Sequence, residues 1–398
     1  MSAPASAHEV LDIATKLSAE FEAGASRRDA ERNLPHDQVV ALKDSGLLAI
    51  SVPESHGGID VLAVVLAEVF RLIAHADPSL AQIPHSHFVF LEALRLQGTD
   101  AQQGFFFDLV RDGALLANAQ SELGPHGIDV DTTRLTRRRD GDFVLSGRKF
   151  YSTGALFADW VVVRASLDDG RAPTAATPKS VAFVPRDADG LEIVDDWDGM
   201  GQRTTASGTV TLEDVVVPAD HVVAFSPIFT VPTTYGARAQ LLHSAIDVGI
   251  ATGALAAGVR QAQRARPHFE ASVDTAVDDP TLIALAGELT VTVRGAQALL
   301  ADAARAVDNA TTDLTEESAA AASVAVAVAK VAAVRAALEA SSALFELGGT
   351  RSASASGNLS RYWRDARTHT LHDPTRWKLQ HIGRHTLSGT RPPRHGQI

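Results

Sequence analysis

Three segments of the sequence concentrate small hydrogen-bonding side chains next to glycine. They span residues 118–125, 147–154 and 197–208, and each lies beside a short apolar run that predicts a β-strand. Hydroxyl and amide groups arranged in this way are suited to binding the polar edge of a flat ring system whose face lies against a sheet. Because serine, threonine and glycine are also common in turns, each segment taken alone has a second interpretation as an ordinary strand end.

Two pairs of histidines form a second group of residues that could do chemistry. His369 and His372 are three residues apart and share one face if their segment is helical. Imidazole donates or accepts a proton near neutral pH, which suits acid–base work on a bound molecule. His85 and His87 form a His-x-His pattern, but no adjacent carboxylate or third histidine completes a zinc ligand set, so we predict no metal site. Ordinary histidines at the start of a helix are an alternative for this pair.

These residues are distributed over a chain whose periodicity changes twice. Apolar residues recur at helical spacing up to about residue 112, form short or alternating runs to about residue 225, and return to helical spacing from about residue 233. The sequence therefore predicts an α+β protein with three domains. The predicted domains are helical at 1–112, antiparallel β at 113–228 and helical at 229–398.

The composition and charge restrict the class of protein. Hydrophobic residues make up 45% of the 398 residues and charged residues 21%, which is typical of a folded globular protein. Cysteine is absent, which excludes disulfides, thiolate metal ligands and a cysteine nucleophile. The net charge is −12 and no basic block occurs, so we expect no nucleic-acid partner.

The location of the protein is predicted from apolar runs and from the first residues of the chain. No run of about 18 apolar residues free of charges and breakers occurs, so we expect no membrane-spanning segment and no membrane partner. The first residues lack the basic and apolar regions of a signal peptide. We therefore expect a cytoplasmic protein.

In their order and spacing, the three hydrogen-bonding segments resemble the acyl-CoA dehydrogenase superfamily of flavoproteins. The resemblance covers nearly the whole chain and implies the acyl-CoA dehydrogenase fold. This fold has an N-terminal helical domain, a middle β domain and a C-terminal four-helix bundle, with the flavin between the last two and with the copies assembled as a homotetramer.

The resemblance also assigns residues to the flavin. Those assigned to its ring system and to flanking contacts are Asn118, Ser121, Tyr151, Ser152, Thr153, Trp197 and Ser207. Arg266 and Arg351 are candidates for holding the phosphate, including the phosphate of a neighbouring subunit, since guanidinium gives a two-pronged grip. A solvated helix end is the alternative for either arginine.

The C-terminal segments 347–351 (LGGTR) and 361–374 (RYWRDARTHTLHDP) look like the dibenzothiophene monooxygenase branch, which includes oxygenases used in sulfur acquisition. Dehydrogenases of the superfamily carry a catalytic glutamate followed by glycine here, whereas this chain has Asp373 followed by Pro374. A shorter carboxylate before proline is a poor match for that base.

The branch implies catalytic roles for the histidines and for one serine. His369 and His372 would control the proton of a flavin C4a-hydroperoxide, with Ser152 near the reacting flavin atoms. His85 and His87 would line the substrate pocket, where the branch also carries a tyrosine that has no clear match in this segment.

The reaction implied by this resemblance uses FMN, as FMNH2, and O2 to oxygenate a small organosulfur compound of the dibenzothiophene or sulfone type. No GxGxxG loop follows a predicted strand, so a separate NAD(P)H:flavin reductase is expected to supply the reduced flavin. Three alternatives share the fold: an acyl-CoA dehydrogenase or oxidase with FAD and Asp373 as base, an N-oxygenating or aromatic-hydroxylating enzyme, and a scaffold without flavin.

Sulfur is scarce in the chain itself. Methionine occurs twice, at Met1 and Met200, and cysteine does not occur. Two alternative explanations fit this scarcity: compositional drift, and production of the protein under sulfur limitation.

Overall fold

Helices occupy both ends of the chain and a sheet lies between them, in the order that the change in periodicity predicts. The computed structural model describes residues 4–124 and 127–398. Pro125, the last residue of the first hydrogen-bonding segment, lies outside the described residues.

Local sequence signals set the ends of the N-terminal helices. The Ser6 hydroxyl accepts a hydrogen bond from the Glu9 amide at the start of the first helix, and Thr99 forms a capping box with Gln102 at the start of the sixth. The helices are α1 (Ala7–Glu31), α2 (His36–Asp44), α3 (Ala63–Ala76), α4 (Pro78–Gln82), α5 (His85–Gln97) and α6 (Asp100–Arg111). The single helical pattern after residue 80 is divided into α4 and α5 because Pro84 has no N–H to continue the helix.

The middle domain is one mixed sheet of eight strands. They are β1 (Leu116–Ala119), β2 (Arg134–Arg137), β3 (Phe143–Lys149), β4 (Trp160–Leu167), β5 (Lys179–Pro185), β6 (Leu191–Val194), β7 (Thr209–Val217) and β8 (Val222–Ala224). Their order is β6-β7-β3-β2-β4-β5-β8, with β1 also paired to β4. Most pairs are antiparallel, but β1 and β2 run parallel to β4, which corrects the prediction of an antiparallel domain. The chain between these strands is long enough for a crossover connection, which a parallel pair requires.

The two faces of β4 contact different apolar cores. Val162 packs into a core that it shares with the helical domains, whereas Val161 and Val163 pack into a second core on the opposite face of the sheet. This division follows from the strand period of two residues. The first core continues from the N-terminal helices into the C-terminal helices, so all three domains are held against one another.

The C-terminal domain packs closely against the N-terminal domain. Its helices are α7 (Tyr235–Ala262), α8 (Pro280–Thr312), α9 (Glu316–Gly348), α10 (Ser360–His369) and α11 (Thr375–Ser388). Gly249 of α7 lies against α3, where an added Cβ would be 2.4 Å from the Cβ of Ala74. The absence of a side chain at Gly249 therefore allows the two backbones to approach and fixes α7 beside the N-terminal helices.

Helices α7, α8 and α9 are long and apolar enough to cross a membrane, judged by length and composition. The expectation that the chain has no such segment does not hold by this criterion, since isolated polar residues lower the mean hydropathy of these alanine-rich helices only slightly. The most apolar windows of α7 and α9 are 78% and 61% buried within the protein, but that of α8 is 17% buried. Helix α8 therefore exposes a long apolar surface.

The segment between β6 and β7 is anchored on α10. Its Gln202 N–H donates a 2.6 Å hydrogen bond to Oδ1 of Asp365, and burial raises the pKa of this carboxyl to about 7. A Cβ at Gly201 would lie 2.0 Å from the carbonyl oxygen of Arg364. Glycine at this position therefore allows the third hydrogen-bonding segment to reach α10.

Candidate active site

A cavity of about 480 Å³ lies where the sheet meets the helical domains. Its walls include the start of α5, the end of β1, parts of β4 and β5, the segment after β8, the first turns of α7, the turn after α10 and the C-terminal residues. Residues in these walls include His85, Val89, Asn118, Ser121, Phe225, Tyr235, His243 and His372. Apolar and polar side chains therefore meet in one enclosure of a size suited to a small organic ligand.

Three imidazoles from different elements meet in the cavity wall. The ring of His85 stacks on that of His243, with centroids 3.8 Å apart, and the ring of His372 lies 4.0 Å from His243 on another side. His85 and His243 are buried, whereas the side chain of His372 is 43% exposed. Of the three rings, that of His372 is thus the most open to a ligand that enters the cavity.

A buried hydrogen-bonded chain leads from this cluster into the helical core. Nδ1 of His243 is 3.1 Å from Nε2 of His369, and Nδ1 of His369 is 2.5 Å from Oδ1 of Asp247. The other carboxylate oxygen of Asp247 accepts a 2.7 Å bond from Nζ of Lys330. Burial lowers the pKa of His243 well below its usual value, and burial also lowers the pKa of His369 although Asp247 opposes this. Both imidazoles are therefore neutral near pH 7.

His369 and His372 do not share a helix face, which corrects the prediction from their spacing. Helix α10 ends at His369, and His372 lies in the turn that follows. The backbone of residue 373 precedes Pro374, whose ring disfavours the helical region. Both histidines nevertheless contact His243, so the tertiary structure joins them through a residue that their spacing does not indicate.

His85 and His87 point in different directions from the first turn of α5. His85 lines the cavity, and its Nε2 is 3.0 Å from the carbonyl oxygen of Ala239. His87 is fully buried elsewhere: its Nε2–H donates to the Leu48 carbonyl at 2.8 Å, and its Nδ1 accepts from the Leu116 amide at 3.1 Å. This placement does not fit the catalytic role predicted for His87, because the backbone occupies both ring nitrogens.

The first hydrogen-bonding segment lines the cavity at the end of β1, and no residue of the other two segments is among the lining residues. Asn118, Gln120 and Ser121 line it directly, and the Asn118 amide donates to the Tyr151 carbonyl at 3.1 Å. This bond ties β1 to the segment after β3. Nε2 of Gln120 donates to Oδ1 of Asn118 at 2.9 Å, which fixes the orientation of both amides.

The second and third segments are joined by hydroxyl groups. Oγ of Ser207 is 2.7 Å from Oγ1 of Thr153 and 2.8 Å from Oγ1 of Thr205. Ser152, next in the chain to Thr153, has a buried Oγ with no hydrogen-bond partner in the described structure. Ser152, Thr153 and Ser207 are not among the residues that line the cavity, but the buried Ser152 hydroxyl is a polar group that a bound molecule could satisfy.

Tyr151 and Trp197 belong to the same two segments as these hydroxyl residues, and their rings contact each other. Tyr151 is exposed with φ at +55°, and its ring meets that of Trp197 edge to face, with centroids 6.3 Å apart. Nε1 of Trp197 donates to the Gln202 carbonyl at 2.9 Å. The indole therefore has a fixed orientation, but neither Tyr151 nor Trp197 is among the residues that line the cavity.

The structure does not bring Arg266 and Arg351 to the cavity of the same chain. Both are exposed, and Arg351 donates to the carbonyl of Arg264, beyond the C-terminal end of α7. The cavity lies at the other end of this helix, whose 28 residues span about 40 Å. These arginines could reach a flavin phosphate only in another copy of the chain.

Asp373 is buried and surrounded by cations. Its Oδ2 lies 3.0 Å from Nζ of Lys378 and its Oδ1 lies 4.0 Å from Nζ of Lys330. Burial opposes ionisation, but these lysines and His372 hold the pKa of Asp373 well below its usual value. Asp373 is therefore a weak base, and it is not among the residues that line the cavity.

Comparison with known protein families follows the domain order of the structure. Residues 8–113 match the acyl-CoA dehydrogenase N-terminal domain, 117–215 its middle domain and 241–377 its C-terminal domain. The chain is also 31% identical over 397 residues to dibenzothiophene monooxygenase of Rhodococcus erythropolis, covering 97% of this chain and 94% of the relative. The chain belongs to the dibenzothiophene monooxygenase branch of the acyl-CoA dehydrogenase family. The predicted family and fold are thus confirmed.

Other members of this branch have the same extent. The probable FMNH2-dependent monooxygenase SfnC of Pseudomonas putida is 31% identical over 389 residues, covering 96% of this chain and 95% of the relative. FMN-bound TdsC from Paenibacillus sp. A11-2 superimposes with a TM-score of 0.92 at 30% identity, covering 98% of this chain and all of the other. Methanesulfinate monooxygenase MsuC from Pseudomonas fluorescens gives a TM-score of 0.88 at 31% identity, covering 98% and 99% of the two chains.

The sequence prediction missed three residues of the hydrogen-bonded cluster beside the cavity: His243, Asp247 and Lys330. His243 and Asp247 are four residues apart on α7 and therefore share a helix face. Lys330 lies in the middle of an alanine- and valine-rich stretch, where a lone cation needs a buried partner. Those two signals were present, but the pairing of α7 with α9 could not be read from either helix alone.

Proposed function

We propose that this protein is a reduced-flavin-dependent monooxygenase that oxygenates a small organosulfur compound with FMN and O2. The observation that carries the proposal is the cavity in which the β1 amides meet the imidazole cluster, in a chain that matches dibenzothiophene monooxygenase over nearly its full length. When bound as FMNH2, the flavin supplies the electrons with which O2 is activated.

The polar groups beside the cavity fit an isoalloxazine edge. The amides of Asn118 and Gln120 and the unpartnered hydroxyl of Ser152 offer both donors and acceptors, as the carbonyl and N–H groups of such a ring require. Thr153 and Ser207 hold the adjoining backbone segments together. These side chains would orient the flavin, while Trp197 would cover its exposed side.

Cations at one end of the cavity fit the flavin phosphate. Arg164 and Lys179 both line the cavity, and Arg164 is paired with Asp131 at 2.8 Å. Among the described residues, Nζ of Lys179 is hydrogen-bonded only to the carbonyls of Ala175 and Thr177, so its positive charge is available to an anion. The electrons would come from a separate NAD(P)H:flavin reductase, as the absence of a dinucleotide loop from the sequence predicts.

His372 would hold and transfer protons at the reacting end of the cavity. Its imidazole is partly exposed and lies beside two neutral buried imidazoles, so it can exchange protons with solvent and with a ligand. His85 and His243 would exclude water from the opposite side. His369 would act through His243, because it touches that ring and does not line the cavity.

An acyl-CoA dehydrogenase or oxidase activity is not favoured by the site. Such an enzyme needs a carboxylate base that faces the substrate, whereas Asp373 is buried between lysines. The cavity residues provide no other carboxylate next to the imidazole cluster: Asp129 is at the cationic end with Lys179. The geometry therefore supports the monooxygenase.

We further propose a cytoplasmic homotetramer. The exposed apolar surface of α8, with Ile283, Val291 and Leu299, would be covered by another copy. In this assembly Arg266 and Arg351 of one copy would lie near the flavin phosphate of its neighbour. Their exposure at the end of the bundle supports this arrangement.

The function is tested by reconstituting the purified protein with FMN, a flavin reductase, NADH and 18O2. Dibenzothiophene and methanesulfinate are supplied separately, and the products are measured by mass spectrometry alongside free hydrogen peroxide. We expect one 18O atom per oxygenation step in the product of at least one substrate and little free peroxide. Reoxidation of the flavin with peroxide as the sole product from both substrates would contradict the proposal.

A further inference from the structure

Four side chains between α7, α9 and α10 form a single hydrogen-bonded chain that ends at the cavity. In order they are Lys330, Asp247, His369 and His243, and each is at least nine-tenths buried. Only His243 lines the cavity. Lys330, Asp247 and His369 can therefore affect the cavity only through His243.

The charged pair Lys330–Asp247 at one end of the hydrogen-bonded chain sets the direction of every hydrogen bond in it. The ammonium of Lys330 can only donate, and the carboxylate of Asp247 can only accept. His369 must therefore donate from Nδ1 to Asp247, and since a neutral imidazole carries one N–H, its Nε2 keeps a lone pair. That lone pair accepts from Nδ1–H of His243, which leaves Nε2 of His243 without a proton.

At the cavity end of this hydrogen-bonded chain, Nε2 of His243 is consequently a hydrogen-bond acceptor. Among the described residues, Nε2 of His243 has no hydrogen-bond partner. The stacked ring of His85 is held in a similar way, since its Nε2–H faces the carbonyl of Ala239 and its Nδ1 is left bare. The remaining titratable group on this side is His372, whose ring centroid lies 4.0 Å from that of His243. At the other end of the hydrogen-bonded chain, Oδ1 of Asp373 lies 4.0 Å from Nζ of Lys330.

We propose that Lys330 and Asp247 set the tautomers of His369 and His243, so that His243 accepts a hydrogen bond from an N–H or O–H group of the molecule bound in the cavity. The ligand class is a hydrogen-bond donor: a substrate without an N–H or O–H group, such as dibenzothiophene or the methanesulfinate anion, leaves Nε2 unpaired and is expected to bind less tightly than a substrate that has one. Lys330, Asp247 and His369 are positioning residues. The inference rests on the proposed function only in placing the substrate in this cavity.

Replacement of Asp247 by asparagine gives a sharp test. In Asp247→Asn the side-chain oxygen stays with Lys330, which can only donate, so the amide N–H2 turns toward Nδ1 of His369. His369 then carries its proton on Nε2, and His243 must carry its own on Nε2 as well. The variant therefore changes the cavity nitrogen from acceptor to donor without moving a heavy atom of either histidine.

The double variant Asp247→Asn with Lys330→Met is the matched control. Methionine has a similar length and is unbranched, so it can fill the same space without a charge. The asparagine oxygen is then free to accept from Nδ1 of His369. We expect the original tautomers of both histidines to return in this protein.

The measurement is neutron diffraction from deuterated crystals of the protein without flavin, which locates the deuterium on each imidazole. We expect it on Nδ1 of both His243 and His369 in the wild type, on Nε2 of both in Asp247→Asn, and on Nδ1 again in the double variant. Deuterium on Nε2 of wild-type His243 would overturn the inference, even if neither variant folds.

Coupled turnover provides a second readout. With a substrate that carries an N–H or O–H group, we expect Asp247→Asn to reduce product formed per flavin oxidised by about tenfold or more, as a wrong histidine tautomer does in hydrolases, with the Kd for FMN unchanged within about twofold. The double variant should recover most of this loss. If turnover instead follows thermal stability across the three proteins, the role is merely structural. If no substrate is oxygenated by the wild type, the proposed function fails while the neutron result still decides the tautomers.

Discussion

The imidazole of His85 stacks on the imidazole of His243, with ring centroids 3.8 Å apart and planes inclined by 27°. His85 begins α5 and His243 lies in α7, so this contact joins the two helical domains at the cavity. Two imidazolium ions at this separation would repel each other strongly. Burial lowers the pKa of both residues, to about 3 for His85, which keeps the stack uncharged.

Removal of His87 is expected to affect stability and not chemistry. In His87→Ala the Leu48 carbonyl and the Leu116 amide lose their buried partners, which should cost about 2–4 kcal/mol of the free energy of unfolding. Urea denaturation measures this loss. The folded protein should keep the wild-type product yield per flavin oxidised, and a variant that is fully stable but inactive would contradict the structural role of His87.

Acid is expected to destabilise the fold through the same buried histidines. Burial lowers the pKa of His87 to about 4 and that of His85 to about 3, whereas the unfolded chain binds the proton near pH 6.5. Between these values the unfolded state holds more protons, so stability falls as pH falls below about 6.5. From pH 7.5 to 5 the loss should be about 2 kcal/mol for each histidine.

The variant His87→Gln is the control for this pH dependence. Glutamine does not titrate, so the curve of unfolding free energy against pH should lose the share contributed by His87 and become flatter. Identical slopes for the variant and the wild type between pH 7.5 and 5 would show that His87 does not contribute.

Substitution of His372 should separate flavin binding from oxygen transfer. This side chain is partly exposed at the cavity, so His372→Ala should fold normally and bind FMN with a Kd within about threefold of the wild-type value. Coupled product formation should fall by about 100-fold or more, with a matching rise in peroxide. Leu371→Ala changes the exposed neighbouring residue and should leave both quantities unchanged. Normal coupling in His372→Ala would remove His372 from the mechanism.

The hydroxyl group at Ser207 is expected to support flavin binding. Ser207→Ala removes the contacts with Thr153 and Thr205, and the loss of about 1–2 kcal/mol should raise the Kd for FMN by about 5- to 30-fold. Fluorescence titration of FMN measures this affinity. Ser146→Ala removes an exposed bond to Asp214 on another part of the sheet, and it should leave the Kd unchanged. Equal affinities in the two variants would place the flavin elsewhere.

A charge on the exposed surface of α8 should prevent assembly. Val291 is 74% exposed in the single chain, and Val291→Glu would bury a carboxylate if another copy covers this surface. Light scattering after gel filtration should show a tetramer for the wild type and a smaller species for the variant. Val40→Glu introduces the same charge on exposed α2 and should remain tetrameric. A tetramer in both variants would locate the interface away from α8.

The sequence by itself determined the succession of helix, sheet and helix, because apolar spacing of 3.6 and 2 residues differs along the chain. The order and spacing of its polar segments also identified the family from the sequence alone. The segments that begin at Asn118, Gly147 and Trp197 could be recognised since glycine and hydroxyl residues cluster beside the predicted strands. Local chemistry of this kind depends on neighbours in the sequence.

The tertiary structure decided which of the candidate residues act together. His85 and His87 are two residues apart, yet one faces the cavity and the other holds two backbone groups in the core. His243, Asp247 and Lys330 come from two helices whose pairing depends on close packing of small residues, and no spacing within one helix reveals it. Contacts between distant segments are set by the shared core, so the hydrogen-bond partners of each imidazole depend on the folded chain.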